Sequence, residues 1–113
     1  MDDCIFCKIV RGEIPSSRIA ENERAIAFDD IDPKTPVHML VIPKAHIPAL
    51  HDASENDRDL LADCLLLCNQ VARSKGIAQS GYRVMTNDGS DGGQEVQHLH
   101  FHVLGGRKLK FGV

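Results

Sequence analysis

Residues 98–103 read His-Leu-His-Phe-His-Val, so three imidazoles alternate strictly with three apolar side chains. Period-two alternation marks a β-strand with unlike faces, because successive side chains point to opposite sides of a sheet. On a helix the same histidines would be scattered around the circumference. The spacing predicts a strand whose Leu99, Phe101 and Val103 pack a core while His98, His100 and His102 present nitrogen chemistry. An affinity tag would be a terminal run without interleaved core residues, which this is not; a lone strand histidine, by contrast, is usually structural. Immediately upstream, Asn87-Asp88-Gly89-Ser90-Asp91-Gly92-Gly93 is glycine-rich, a loop whose backbone can approach an anion closely and offer N–H donors. Imidazoles titrate near neutral pH, and beside such a loop they point to phosphate chemistry.

The rest of the chain supplies a sheet for this strand and a helix to cover it. Val37–Pro43 is apolar at nearly every position, as expected of a central strand covered on both faces. His38 is the exception there, and a core histidine with one satisfied hydrogen bond is an equally good reading of it. Arg18–Glu21 and Ala25–Phe28 read as short strands joined around Asn22-Glu23, and Gly81–Asn87 as a strand feeding the glycine loop. Asp29–Pro36 is polar and proline-punctuated, hence loop. Ile5, Phe6, Ile9 and Val10 fit about two helical turns closed at Gly12. Ser54-Glu55-Asn56-Asp57 has the form of a capping box with Asp in place of Glu. After it Leu60, Leu61, Cys64, Leu65, Cys68, Val71 and Ala72 recur at three- and four-residue spacing, a long amphipathic helix ending near Gly76. Leu66 and Leu67 widen its apolar face beyond one sheet contact and hint at a subunit interface. Hairpin-connected strands with few helices give an α+β fold with an antiparallel sheet.

At 113 residues the chain suits one domain with one core and no need of disulfides. A net charge of −3, 13 basic against 16 acidic groups, gives no support for a nucleic-acid binder. No apolar run approaches the roughly 20 residues of a membrane span. The start, Met1-Asp2-Asp3, is acidic where a signal peptide would be basic, so the protein is expected to be cytoplasmic with its four cysteines reduced. Cys64 and Cys68 read as small core residues, and His51 receives no role. Cys4 and Cys7 leave three readings open: a redox pair, half of a zinc site, or two more core residues.

His98-Leu99-His100-Phe101-His102-Val103-Leu104 resembles the histidine triad signature, His-φ-His-φ-His-φ-φ with φ apolar. Gly92-Gly93-Gln94 before it and Gly105-Gly106-Arg107 after it are similar to the branch known as histidine triad nucleotide-binding proteins, and the likeness runs from Cys4 to Phe111. The resemblance implies a single HIT domain over residues 1–113: a five-stranded antiparallel sheet with one long helix and a short N-terminal helix, paired as a homodimer. It also implies that the tail crosses the dimer, with Phe111 where relatives often carry tryptophan. In activity it implies a purine nucleoside phosphoramidase that cleaves the P–N bond of nucleoside 5′-phosphoramidates through a nucleotidyl-histidine. A diadenosine polyphosphate hydrolase is the sibling alternative, and a nucleotide-binding or zinc-stabilised interaction module the alternative of another class.

Residue by residue, His100 would be the nucleophile, with His102 and the backbone amides near Glu95 and Val96 stabilising phosphate charge and His38 hydrogen-bonded into the triad. Asp30 would accept from the ribose hydroxyls, Asn87 would contact phosphate or ribose, and Phe6, Ile9, Phe28 and Ile31 would form the base pocket. Close relatives that begin Cys-x-x-Cys imply a structural zinc on Cys4, Cys7, His46 and His98. Glu95 is a departure, since many animal members have serine there, and it bears on the choice of leaving amine.

Overall fold

Val37–Pro43 forms β3, the middle strand of a five-stranded antiparallel sheet, as its nearly unbroken apolar run predicts. The computed structural model describes residues 3–112; the Met1-Asp2 start of the acidic N-terminus lies outside the described residues. The other strands are β1 (Arg18–Glu21), β2 (Ala25–Asp29), β4 (Arg83–Met85) and β5 (Phe101–Gly105), in the order β1-β2-β3-β5-β4. A short helix α1 (Ile5–Val10) precedes the sheet, and a long helix α2 (Arg58–Ser74) lies between β3 and β4. The β1–β2 turn is closed by Asn22, whose Oδ1 accepts from Arg24 N and Ala25 N, while its Nδ2 donates to the Asp63 carbonyl of α2. One asparagine thus forms the hairpin and ties it to the helix.

Alternation divides the strands between two cores. Ala25, Ala27, Met39, Val41, Leu99, Phe101 and Val103 pack with the Leu60, Cys64, Leu67, Cys68 and Val71 face of α2. On the opposite side Ile26, Phe28, Leu40 and Ile42 pack with Phe6 and Ile9 of α1. β3 is buried because each of its faces serves one of these clusters. Leaving either face uncovered would expose several side chains worth about 1.5–3 kcal/mol each.

The helical stripe is rotated from the sequence expectation. Ser54 and Asp57 do form a reciprocal capping box, but it closes a 3-10 turn (Glu55–Asp57) that leads into α2. Leu67, expected on the outer face, is fully buried against the sheet, whereas Leu65, expected on the inner stripe, is 49% exposed beside Leu66 at 60%. Positions 60, 64, 67 and 71 make the continuous four-three-four row, and Leu65 lies to one side of it. Cys64 and Cys68 are core residues as expected; burial pushes both thiols up to about 12, so neither is a nucleophile.

β5 begins only at Phe101, so His102 alone of the three triad histidines lies in the regular ladder. The sequence predicted a strand through all three, and β4 is likewise shorter than the expected Gly81–Asn87. Upstream of the ladder other bonds keep the chain extended: Leu99 N donates to the Ile47 carbonyl, and the Thr86 hydroxyl donates to the His100 carbonyl. The two-faced alternation survives, because Leu99 still reaches the α2 core while His98 and His100 face the other way, toward Phe6. Among the described residues no helix is long and apolar enough to cross a membrane.

Candidate active site

The hydrogen bonds of the triad fix its tautomers. His100 Nδ1 donates to the His98 carbonyl at 2.7 Å, which leaves the His100 Nε2 lone pair free. The Lys34 backbone N–H donates to His38 Nδ1 at 3.0 Å, so the His38 proton is on Nε2 and is donated to His102 Nδ1, 2.9 Å away. His102 must then carry its own proton on Nε2. The chain of bonds ends in one ring with a free lone pair, His100, and one with a free N–H, His102; the two ring centroids are 5.2 Å apart. Asp30 Oδ2 lies 3.4 Å from His38 Nε2, on the same side of the sheet.

An apolar wall stands against these rings. The Phe6 ring meets His100 edge-on at 5.2 Å between centroids and Phe28 at 5.8 Å, and Val96 packs on the same cluster. Of the four expected pocket residues, Phe6, Ile9 and Phe28 come together; Ile31 projects from the loop after β2 and is 99% exposed.

A second cluster adjoins the first. Cys4 Sγ lies 3.3 Å and Cys7 Sγ 3.6 Å from His98 Nδ1, Cys7 Sγ 3.3 Å from His46 Nδ1, and the two Nδ1 atoms 3.2 Å apart. All four donor atoms fall within 4.8 Å of one another. A tetrahedral zinc with Zn–S of about 2.3 Å and Zn–N of about 2.0–2.1 Å sets N and S donors about 3.5 Å apart and two N donors about 3.3 Å apart. His98 Nε2 donates to the Pro43 carbonyl at 2.9 Å, which turns a bare Nδ1 lone pair toward the cluster. That lone pair faces the nitrogen of His46 and two sulfurs, a donor set suited to a cation. The residues fit zinc in spacing, tautomer and chemistry.

The sequence model of the family described as "HIT domain" matches residues 11–109, nearly the whole chain. The chain belongs to the HIT domain family. It is 42% identical over 108 residues to a purine nucleoside phosphoramidase of Escherichia coli (strain K12), covering 96% of this chain and 91% of the relative. Among solved structures, a HIT family hydrolase from Legionella pneumophila superposes with a TM-score of 0.94 at 44% identity, over 96% of this chain and 97% of that one. A histidine triad protein from Clostridium difficile superposes with a TM-score of 0.94 at 47% identity, over 100% and 98% of the two chains.

In this HIT protein the glycine loop is held by residues for which the sequence reading had no role. Gln94, buried, accepts from Gly89 N through Oε1 and donates through Nε2 to the carbonyls of Pro48 and Val96. It staples the two ends of the loop to the chain after β3, and its place in the Gly-Gly-Gln triplet was the only signal. Within the loop a Cβ on Gly92 would stand 2.4 Å from the Asp88 carbonyl oxygen, so that position admits only glycine. His51 also acts on the loop: its ring Nδ1 lies 2.6 Å from Asp88 Oδ1, and its backbone N–H donates to Asp88 Oδ2. Asn87 is half-buried just before the loop, and Glu95 is exposed at its far end. A cavity of about 680 Å³ lies elsewhere, along Tyr82, Arg83, Arg107 and Leu109. None of the residues that line it is a histidine, cysteine or carboxylate.

Burial lowers His102 to about 4, with nearby His100 and His38 adding repulsion, and burial also lowers His38 and His98 below 6.5. Between about 4 and 6.5 the unfolded chain binds protons that these folded rings refuse, so stability falls as pH drops through that window. His51 works in the opposite sense, raised by Asp88, but it is exposed. Urea midpoints are expected to fall from pH 7 to pH 5, with a shallower fall in His102→Gln; an unchanged slope in that variant would contradict the burial of this ring.

Proposed function

We propose that this chain is a purine nucleoside phosphoramidase, hydrolysing the P–N bond of nucleoside 5′-phosphoramidates. The observation that carries the proposal is His100, held by the His98 carbonyl with its Nε2 lone pair free beside an apolar wall. The substrate class is supported by the Escherichia coli relative, named for that activity. In the first step Nε2 attacks phosphorus and the P–N bond breaks; the departing amine takes up a proton. His102, protonated on Nε2, offers a hydrogen to the phosphoryl oxygens or to the leaving nitrogen, and amides near Glu95 and Val96 offer further donors. Water then attacks phosphorus, its proton returns to solvent and His100 leaves as neutral imidazole. One proton is consumed and one released, and the net reaction is hydrolysis.

Asp30 is assigned the ribose hydroxyls, Asn87 the phosphate or ribose, and Phe6, Ile9, Phe28 and Ile31 the purine, with Ile31 closing over it from its exposed position. A carboxylate has two acceptor oxygens for the two donors of a vicinal diol. Zinc on Cys4, Cys7, His46 and His98 would supply a cross-link between α1 and the sheet. That site requires reduced cysteines, in keeping with a cytoplasmic protein. The test is turnover of adenosine 5′-phosphoramidate beside a diadenosine polyphosphate: the first is expected to be cleaved to AMP much faster, and the reverse order would overturn the assignment.

The single domain, residues 1–113, is proposed to work as a homodimer. Leu65 and Leu66 on the outer side of α2, and Val84 on the edge strand β4, are exposed apolar groups suited to a second copy. Because Leu67 faces the sheet, Leu66 is the residue to charge. Sedimentation equilibrium at micromolar concentration is expected to give twice the chain mass, and Leu66→Glu to shift it toward the monomer; a monomeric parent would refute the dimer.

A further inference from the structure

The cysteine–histidine cluster and the triad share two structural members. The first is α1. Cys4 caps it and Cys7 lies within it, while Phe6 and Ile9 of the same helix stand in the apolar wall against His100. A further polar tie on this helix runs from Arg18 Nη2 to the Ile9 carbonyl. The second is His98. Its ring turns Nδ1 to the cluster, and its own carbonyl accepts the Nδ1 proton of His100. Displacing His98 therefore removes the acceptor that decides which nitrogen of His100 is bare.

We propose that the Cys4–Cys7–His46–His98 centre is a positioning element of the reaction site: metal held there fixes nucleotide affinity through α1 and the tautomer of His100 through the His98 carbonyl. Mutating an outer-shell partner of a metal site typically costs about 10- to 100-fold in metal affinity or activity. We take the lower end of that scale for nucleotide binding here, because Phe6 and Ile9 share α1 with Cys7 and the acceptor of His100 belongs to His98.

His46 gives the cleanest test. It lies in the loop after β3, and among the contacts described its ring reaches only Cys7 and His98. The zinc-loaded protein and His46→Gln are compared for zinc content, for AMP affinity by calorimetry and for the His100 ring nitrogens by ¹⁵N NMR, at a temperature where circular dichroism shows both folded. Loss of zinc is expected to weaken AMP binding by about tenfold or more and to mix the two neutral tautomers of His100. A zinc-free, folded variant that binds AMP within about twofold of the parent and keeps a single Nδ1–H tautomer would reduce the centre to a staple and overturn the proposal. If His46→Gln does not fold, chelator extraction of the parent followed by titration with Zn²⁺ gives the same readouts. The affinity arm rests on the nucleotide reading of the site, and the tautomer arm does not. A parent that fails to bind AMP would count against the function, while its tautomer would still decide the coupling.

Discussion

His100→Ala is expected to lower turnover of adenosine 5′-phosphoramidate by about 10³-fold or more, on the scale seen when an enzyme loses its nucleophile. AMP binding should persist, because the apolar wall, Asp30 and the glycine loop are untouched. His100 contributes to the fold mainly an edge contact with Phe6 and a bond to the nearby His98 carbonyl, so the variant should remain folded. His102→Ala is expected to cost less, since it removes a donor and leaves the attacking atom, and His38→Ala less again, since it acts through His102. Rapid quenching with phosphorus-labelled substrate should trap label on the parent and none on His100→Ala. Near-native turnover in His100→Ala would end the mechanism, whatever the family resemblance.

Removing metal should have the second largest effect. Protein purified without chelator is expected to carry about one zinc per chain, from the four-ligand set. A ligand present at about 1,000 times its Kd stabilises by about 4 kcal/mol, and 1 kcal/mol moves the Tm of a domain this size by roughly 4–8 °C. Chelation should therefore lower Tm by about 15 °C or more, and added zinc should restore it. The cluster joins Cys4 to residues 46 and 98, so loss of metal is expected to loosen the N-terminal helix, still packed through Phe6 and Ile9, as well as to lower the stability of the whole. Metal-free protein with an unchanged melting curve would sink the zinc assignment.

Much of the architecture was legible because it rests on side-chain period. The alternation at His98–Val103 and the apolar run at Val37–Pro43 specify faces, and the two clusters on either side of the sheet follow those faces. Boundaries were less legible. Nothing in the local sequence says that the β4–β5 ladder stops at His102 and that a threonine hydroxyl takes over at His100. The exchange of Leu65 and Leu67 has a similar origin: in a helix with five adjacent apolar residues, 64 to 68, pattern leaves the rotation ambiguous and contact with the sheet decides it.

At the candidate site, residue types were readable and their orientation was not. The tautomers depend on backbone partners, the Lys34 N–H and the His98 and Pro43 carbonyls, that no side-chain pattern encodes. Gln94 went unassigned for the same reason, since all three of its bonds are to main chain. The four proposed metal ligands are brought together although 94 residues separate Cys4 from His98.

The pairing of β3 with β5 has a consequence for how the protein is made. His38 and His102 meet across 64 residues of chain, and the sheet is closed on that side only when the final strand arrives. A nascent chain ending before Leu99 holds β1, β2, β3 and α2 but neither the last two histidines nor a partner for the open edge of β3. Contacts of such long sequence separation form late and slowly. Synthesis thus leaves an apolar edge waiting for its last neighbour, and an aborted or proteolysed chain that loses its final fifteen or so residues would be sticky as well as inactive, an aggregation hazard of the kind exposed strand edges create.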